Sequence, residues 1–405
     1  MNCQEVCFQL FADKTDYYHK WYHDRPMLIT SERCDELRRM QALLYKCIVY
    51  MAKHYREWVP QYMPLDDKVM EILDCQSRYP FRAGAYRPDY LVSDDGRLLL
   101  VEITSRFFGH GIWINYPSVV KAEQFMAEHP GTSWENRYDE LLTYMRDAIP
   151  ANSPVYVLKS GDQGSESTFY TKFYEYYGHE VTVYEAAEVE THIDQWSYDA
   201  VVFSALNQHD LLSFRMETLQ AMIDARMLND FRTIFLMHDK RFLSLIFVDE
   251  FTQQCLTEEE TTFLRQHTIP TYIYNNRYKD VWEDALAHKD KYILKPYDLG
   301  KSVGLYAGVM TDEDTWKSIL HSSLFTLHSS FILQPFIHQR TYPCVWEGRH
   351  YDEYVCGMML CMDDRYFDSG VFRTSSAPVT NKVDDRKMCV IHSDDEALKK
   401  ICFVL

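Results

Sequence analysis

Two segments far apart in the chain carry the residue types that phosphate chemistry needs, and the acidic one comes first. Arg87-Pro-Asp89-Tyr-Leu-Val, a short Ser-Asp-Asp-Gly turn and Leu-Leu-Leu-Val-Glu102-Ile-Thr104 read as a hairpin bearing one cation and two carboxylates. Far downstream, Tyr292-Ile-Leu-Lys295-Pro-Tyr-Asp-Leu-Gly300-Lys301-Ser302-Val-Gly304 reads as a strand ending in a lysine, followed by a loop. Magnesium takes oxygen ligands and keeps waters, so one or two carboxylates and a substrate's phosphates suffice to hold it. Asp89 and Glu102 meet that demand if the Asp94-Asp95-Gly96 turn pairs the strands and brings the start of one beside the end of the other. Lysines and the backbone N–H groups of a glycine-bearing loop neutralise and cradle phosphates. The two halves together describe ATP use. Each also has a plainer reading, with Glu102 on the solvent face of a strand and Lys-Pro as a common strand exit.

The elements that must position these residues are bounded by composition. A chain of 405 residues predicts two or three domains with ample core. Its hydrophobic content of 46% and charged content of 25% are those of an ordinary globular protein. The net charge of −18 argues against a nucleic-acid backbone as partner, so an anionic nucleotide requires a local basic pocket. Eleven scattered cysteines, with no Cys-x-x-Cys pair, read as free buried thiols in a reducing cytoplasm, and a zinc site is not expected. The first residues lack a basic flank and an apolar run, and no apolar stretch reaches the roughly 18 to 20 residues that span a bilayer, so a cytoplasmic protein without membrane contact is expected. Aromatic-rich Tyr170-Thr-Lys-Phe-Tyr-Glu-Tyr-Tyr fits a helix burying one aromatic face better than a base-stacking platform.

Periodicity divides the chain into three parts. Residues 1–150 hold a helical stretch over 32–75, with Leu37, Met40, Leu43, Leu44, Cys47, Ile48 and Met51 on one stripe, then the hairpin, the Phe107-Phe-Gly-His-Gly111 loop and a helical region over 118–147. Residues 151–270 alternate short apolar strands (155–158, 181–184, 200–203 and 233–236) with helices over 166–177 and 210–228, which predicts a small parallel α/β domain. The loop with Gly161 and Gly164 after its first strand is a structural turn or a substrate loop. Residues 271–405 predict a nucleotide lobe, with strand 292–295, strand 304–310, helix 312–320, strand 331–337 and further strands over 354–391. The fold class is thus mixed α+β and α/β.

In order along the chain, Arg87-x-Asp89, Glu102-x-Thr104, Lys240, Ile293-Leu-Lys295-Pro, Phe331-Ile-Leu-Gln334-Pro and Phe372-Arg373-Thr-Ser-Ser-Ala-Pro-Val-Thr-Asn381 resemble the circularly permuted ATP-grasp family of glutathionylspermidine synthetase-like carboxylate–amine ligases. The resemblance covers most of residues 86–381. It implies an ATP-grasp fold with a pre-ATP-grasp-like α/β domain, and ATP and Mg2+ as cofactors. It also implies Asp89, Glu102, Thr104 and Asn381 as metal ligands, with Thr104 standing where the family pattern has Asn. Arg87 and Arg373 are implied at the transferring phosphoryl group. Lys240, Lys295, Gly300, Lys301 and Ser302 are implied at the nucleotide phosphates, and Gln334 and Phe336 at the base.

The reaction so implied activates a carboxylate as an acyl-phosphate that an amine then attacks, on an amino acid, peptide or polyamine substrate. Such chemistry asks the protein mainly for positioning and charge neutralisation. His110 is a further candidate for the acceptor side, although a histidine between two glycines is more often a loop residue. The alternatives are a phosphotransferase using the same site, or an ATP-binding sensor or scaffold with degraded catalysis.

Overall fold

The computed structural model describes residues 1–14, 21–106, 108–109, 111–160, 164–197, 199–300, 302–325, 330–380 and 383–405. A first helix, α1 (Cys3–Leu10), and a short strand, β1 (Met27–Ile29), precede the apolar stripe over residues 32–75, which forms as two helices. The first, α2 (Ser31–Tyr62), starts where the Thr30 side chain accepts a hydrogen bond from the Arg33 N–H, and it buries every stripe residue named above. Burying each such side chain contributes about 1.5–3 kcal/mol. Pro64 ends the helix, because the residue before a proline is pushed out of helical conformation, and α3 (Asp67–Gln76) begins anew.

The hairpin is β2 (Ala85–Val92) and β3 (Leu98–Thr104). Helices α4 (Ile112–Ala127) and α5 (Tyr138–Asp147) follow, replacing the single helical stretch expected over 118–147. Then come β4 (Val155–Lys159), α6 (Gly164–Tyr176), β5 (Val181–Glu185), β6 (Val201–Ala205) and α7 (Met216–Asp224). The order β5-β4-β6, all parallel, is the small α/β unit that the alternating pattern predicts. Its expected fourth strand is absent: Thr233–Met237 is a turn of π-helix with all five side chains buried. Periodicity cannot separate a short apolar strand from a fully buried helical turn, and here packing on every side selects the turn. The helix expected over 210–228 is likewise split, into Gln208–Ser213 and α7.

Beyond α8 (Glu258–Gln266), strands β7 (Tyr272–Ile273), β8 (Tyr292–Pro296), β9 (Tyr306–Ala307) and β10 (Phe331–Pro335) make an antiparallel sheet in the order β7-β10-β8-β9. Helices α9 (Lys279–Ala287) and α10 (Glu313–Phe325) accompany it, with Trp282 and Trp316 fully buried between. The strand expected over 304–310 shrinks to β9, because the chain turns into a 3-10 helix at Gly308–Met310.

The remaining strands are β11 (Thr341–Trp346), β12 (Arg349–Met358), β13 (Leu360–Met362), β14 (Arg365–Asp368), β15 (Phe372–Ser375), β16 (Arg386–Met388), β17 (Val390–His392) and β18 (Phe403–Val404). β11 to β16 join the hairpin in an antiparallel sheet of order β14-β13-β2-β12-β15-β16, with β3 on β2 and β11 on β12. β1 pairs in parallel with both β17 and β18, which ties the early chain to its last residues. One cluster of buried side chains runs through Leu44, Tyr90, Leu158, Leu236 and Met388, so segments from the start, middle and end of the chain share a core. All eleven cysteines are free thiols. Among the described residues no helix is long and apolar enough to cross a membrane.

Candidate functional site

The hairpin closes as its sequence predicts. Gly96 takes a positive φ of 84°, its N–H bonds the Ser93 carbonyl, and the Ser93 N–H bonds the Arg97 carbonyl. That turn sets the register: Arg87 faces Thr104 and Asp89 faces Glu102. The pairing then slips, so that Tyr90 faces Leu100 and Val101 is the extra residue of a β-bulge. A bulge turns neighbouring side chains toward one face, and both Val101 and Glu102 line the same cleft.

Arg87 grips Asp89 with two hydrogen bonds, Nε–Oδ1 at 2.9 Å and Nη2–Oδ2 at 3.2 Å, and its Nη2 lies 3.4 Å from Thr104 Oγ1. Burial raises the Asp89 carboxyl above its ordinary range although Arg87 and Arg373 pull the other way. The guanidinium thus lies against both Asp89 and Thr104, two of the expected ligands. Among the described residues no group of three His, Cys, Asp or Glu is arranged to hold a metal ion. Of the expected ligand set, Asp89 faces Glu102 and Thr104 faces Arg87 across the hairpin, and Arg87 takes one lone pair on each oxygen of Asp89. Asn381, the set's fourth member, lies outside the described residues, as do Lys301, His110 and Gly161.

Glu102 is the carboxylate the fold leaves for other work, with its side chain 28% exposed. Lys240 Nζ stands 3.6 Å from its Oε2. Burial would raise this carboxyl, but the charges of Lys240 and Lys295, with Arg87, outweigh it and hold it at about 2. Lys240 opens a 3-10 helix, Lys240–Phe247, whose first turn is fixed by the Asp239 carboxylate accepting from the Arg241 N–H. Lys295 lies within the buried end of β8, and burial draws its ammonium down to about 8 although Glu102 works against the shift. His238, two residues before Lys240, is neutral, since burial and the nearby Arg106 and Lys240 lower its pKa far below the usual range. Neither His238 nor Arg106 stands out in the sequence; only their places two residues from Lys240 and from Thr104 signal them.

The cleft runs from these charges between the hairpin and the β7-β10-β8-β9 sheet. Leu91, Val101, Ile269, Ile293, Phe336 and Ile337 line it with apolar surface. Gln334 lies at its base, its amide Nε2 donating to Thr271 Oγ1 at 2.8 Å and to the Val101 carbonyl at 3.3 Å, while its Oε1 is buried without a hydrogen bond. Cys356, across from Arg373 on β15, also lines the cleft, and burial pushes its thiol up to about 12. The loop after β8 covers the opening: Lys240 Nζ donates to the Leu299 carbonyl at 2.5 Å, and Ser302 Oγ to the Thr380 carbonyl at 3.0 Å. Gly300 packs against the Arg106 guanidinium, where any Cβ would collide with it. The enclosed space is about 100 Å³. Small-molecule sites hold roughly 300–1,000 Å³, so the space in this cleft is small by comparison.

Of the residues singled out in the sequence, Arg87, Asp89, Glu102, Thr104, Lys240, Lys295 and Arg373 converge by register and charge. Gly300, Ser302, Gln334 and Phe336 border the cleft beside them.

The AnkG N-terminal domain family matches residues 40–236, slightly less than half of the chain. No curated protein matches it. The family match corrects the resemblance drawn from the motifs, since the family found is not the permuted ATP-grasp one. Short strings such as Leu-Lys-Pro and Arg-x-Asp arise wherever a buried strand ends in a charge, which is why motifs alone misled. The matched segment contains Arg87, Asp89, Glu102 and Thr104 and ends before Lys240 and Lys295.

Proposed function

We propose that the chain binds ATP with magnesium in the cleft and transfers a phosphoryl group to a carboxylate, which an amine then captures. The observation that carries this reading is the charge of the cleft's inner end. Arg87, Lys240 and Lys295, all buried, gather around two carboxylates, Asp89 and Glu102, inside a chain of net charge −18. Buried cations beside a cleft suit an anion that brings several charges, and a polyphosphate is one. The apolar slot with an unmet acceptor at Gln334 suits a base that offers an N–H donor, as adenine does.

Lys240, Lys295 and the loop amides around Gly300 would hold the phosphates, and Glu102 would share magnesium with phosphate oxygens. The metal would supply charge neutralisation at the transferring group. The chain's own residues orient and neutralise. Cys356 is held as a thiol and is a poor nucleophile. An acceptor that brings its own ionised oxygen, as a carboxylate does, therefore suits the site.

Titration calorimetry with ATP, with and without magnesium, and ADP release on pools of carboxylates and amines test this. Magnesium-dependent binding is expected, with ADP release requiring an acid and an amine and falling at least about 100-fold in Glu102→Gln. Wild-type ADP release by Glu102→Ala would remove Glu102 from the reaction, and failure of ATP to bind would end the proposal. A second reading, ATP binding without turnover, is favoured by the pairing of Asp89 with Arg87. It predicts binding that ignores magnesium and no ADP release.

A further inference from the structure

A second cavity, of about 490 Å³, shares no lining residue with the cleft and contains Cys34 and His392 on its wall. Cys34 lies in the first turn of α2, its N–H bonded to the carbonyl of the capping residue Thr30. Its Sγ is 3.0 Å from His392 Nδ1, and His392 Nε2 is 2.5 Å from Asp368 Oδ1. Asp368 is itself fixed, accepting from the Ser369 N–H at 2.6 Å. The chain brings these residues together by pairing: Ile29 lies opposite His392 across β1 and β17, and β14 delivers Asp368 at its end. A thiol, an imidazole using both ring nitrogens and a carboxylate in line are the parts of an activated sulfur nucleophile. Cys34 and His392 are each 7% exposed, and what they expose faces this cavity.

We propose that Cys34, His392 and Asp368 form a thiol-dependent acyl-transfer site that accepts an ester or amide carrying a positive charge near its carbonyl. Cys34 and His392 are the catalytic residues and Asp368 positions the imidazole. In the proposed step His392 Nδ1 carries the proton of the thiol. Sγ attacks the carbonyl carbon, the C–S bond forms, the C–O or C–N bond breaks, and the leaving group departs with the proton from Nδ1. Water then attacks the thioester, gives its proton to Nδ1 and releases the carboxylic acid as the C–S bond breaks. The sum is hydrolysis of one ester or amide by one water.

Two further features agree with this site. Burial alone would lower the His392 pKa, but Asp368, and to a lesser degree Cys34, raise it to about 10, so the imidazole holds a proton at neutral pH. A helix N-terminus also favours a negative sulfur. The substrate's charge follows from the cavity lining, where Glu135, Asp394 and Asp395, the last two accepting from Ser31 and from Ser133 and Ala397, outnumber Arg38, whose guanidinium is paired with Asp35.

The test uses the full chain and p-nitrophenyl acetate, with peptide mass spectrometry to locate the acetyl group. A stoichiometric burst with acetyl on Cys34 of the wild-type protein is expected, with no burst in Cys34→Ser and acylation at least about 100-fold slower in His392→Asn. Asp368→Asn, which keeps an acceptor for the imidazole, should retain acylation that Asp368→Ala loses. Hydrolysis of benzoyl-arginine ethyl ester should exceed that of benzoyl-alanine ethyl ester by about tenfold or more. Acetylation spread evenly over the cysteines, or a Cys34 rate indifferent to His392→Asn, would overturn the site. Equal rates on the two benzoyl esters would overturn its preference for a cation.

Discussion

At the scale of single residues, Lys295 separates a structural role from a binding one. It is 5% exposed, and its folded-state pKa of about 8 lies below the ordinary 10.5. The native state therefore binds fewer protons than the unfolded chain between these values, so stability rises with pH across that window. Below it the charged lysine is a standing cost of about 3 kcal/mol. Lys295→Met should raise the urea midpoint at pH 7 by an amount worth about 1–3 kcal/mol, while ATP affinity measured by calorimetry falls about tenfold or more. A variant that is less stable and binds ATP as well as wild type would make Lys295 a packing residue. Lys295, Glu102 and Asp89 were legible in the sequence because charges inside apolar strands are conspicuous. That Arg87 would spend itself on Asp89 was not, since the sequence fixes no side-chain direction within a strand.

At the scale of elements, the loop after β8 decides access. Its hold on the body of the protein runs through Lys240 to the Leu299 carbonyl and through Ser302 to the Thr380 carbonyl. Lys240→Ala should speed amide exchange over residues 298–305 by about tenfold or more, and saturating ATP should slow it in the wild type, both read by hydrogen–deuterium exchange mass spectrometry. Unchanged exchange in the variant would show that the lysine does not hold the loop. The hairpin, the long apolar helix and the parallel unit were readable because their periods of 2 and 3.6 are strong. The π-helical turn at Thr233–Met237 was not, because five buried apolar residues carry no period.

At the scale of the whole molecule, the parallel pairing of β1 with β17 and β18 ties the early chain to the last residues, and the His392–Asp368 contact joins β17 to β14. The folded pKa of His392, about 10, lies above the ordinary 6.5. Its contribution to stability is then fully present below 6.5 and is lost as pH rises toward 10. Relative to His392→Gln, the wild type should lose about 3 kcal/mol of unfolding free energy between pH 6 and pH 9. Parallel urea titrations check this, and identical pH slopes for the two proteins would show that the pair does not stabilise the fold.

The sequence by itself determined the local elements and the acidic hairpin, because turn chemistry and hydrophobic period act between neighbours. Only the tertiary structure decided that Lys240 and Lys295 meet Glu102, and that Cys34 meets His392 across 358 positions. Those meetings depend on which strands pair and on how the apolar faces close into one core. Residues that are ordinary in their own surroundings, as Cys34 and His392 are, acquire chemical meaning only there.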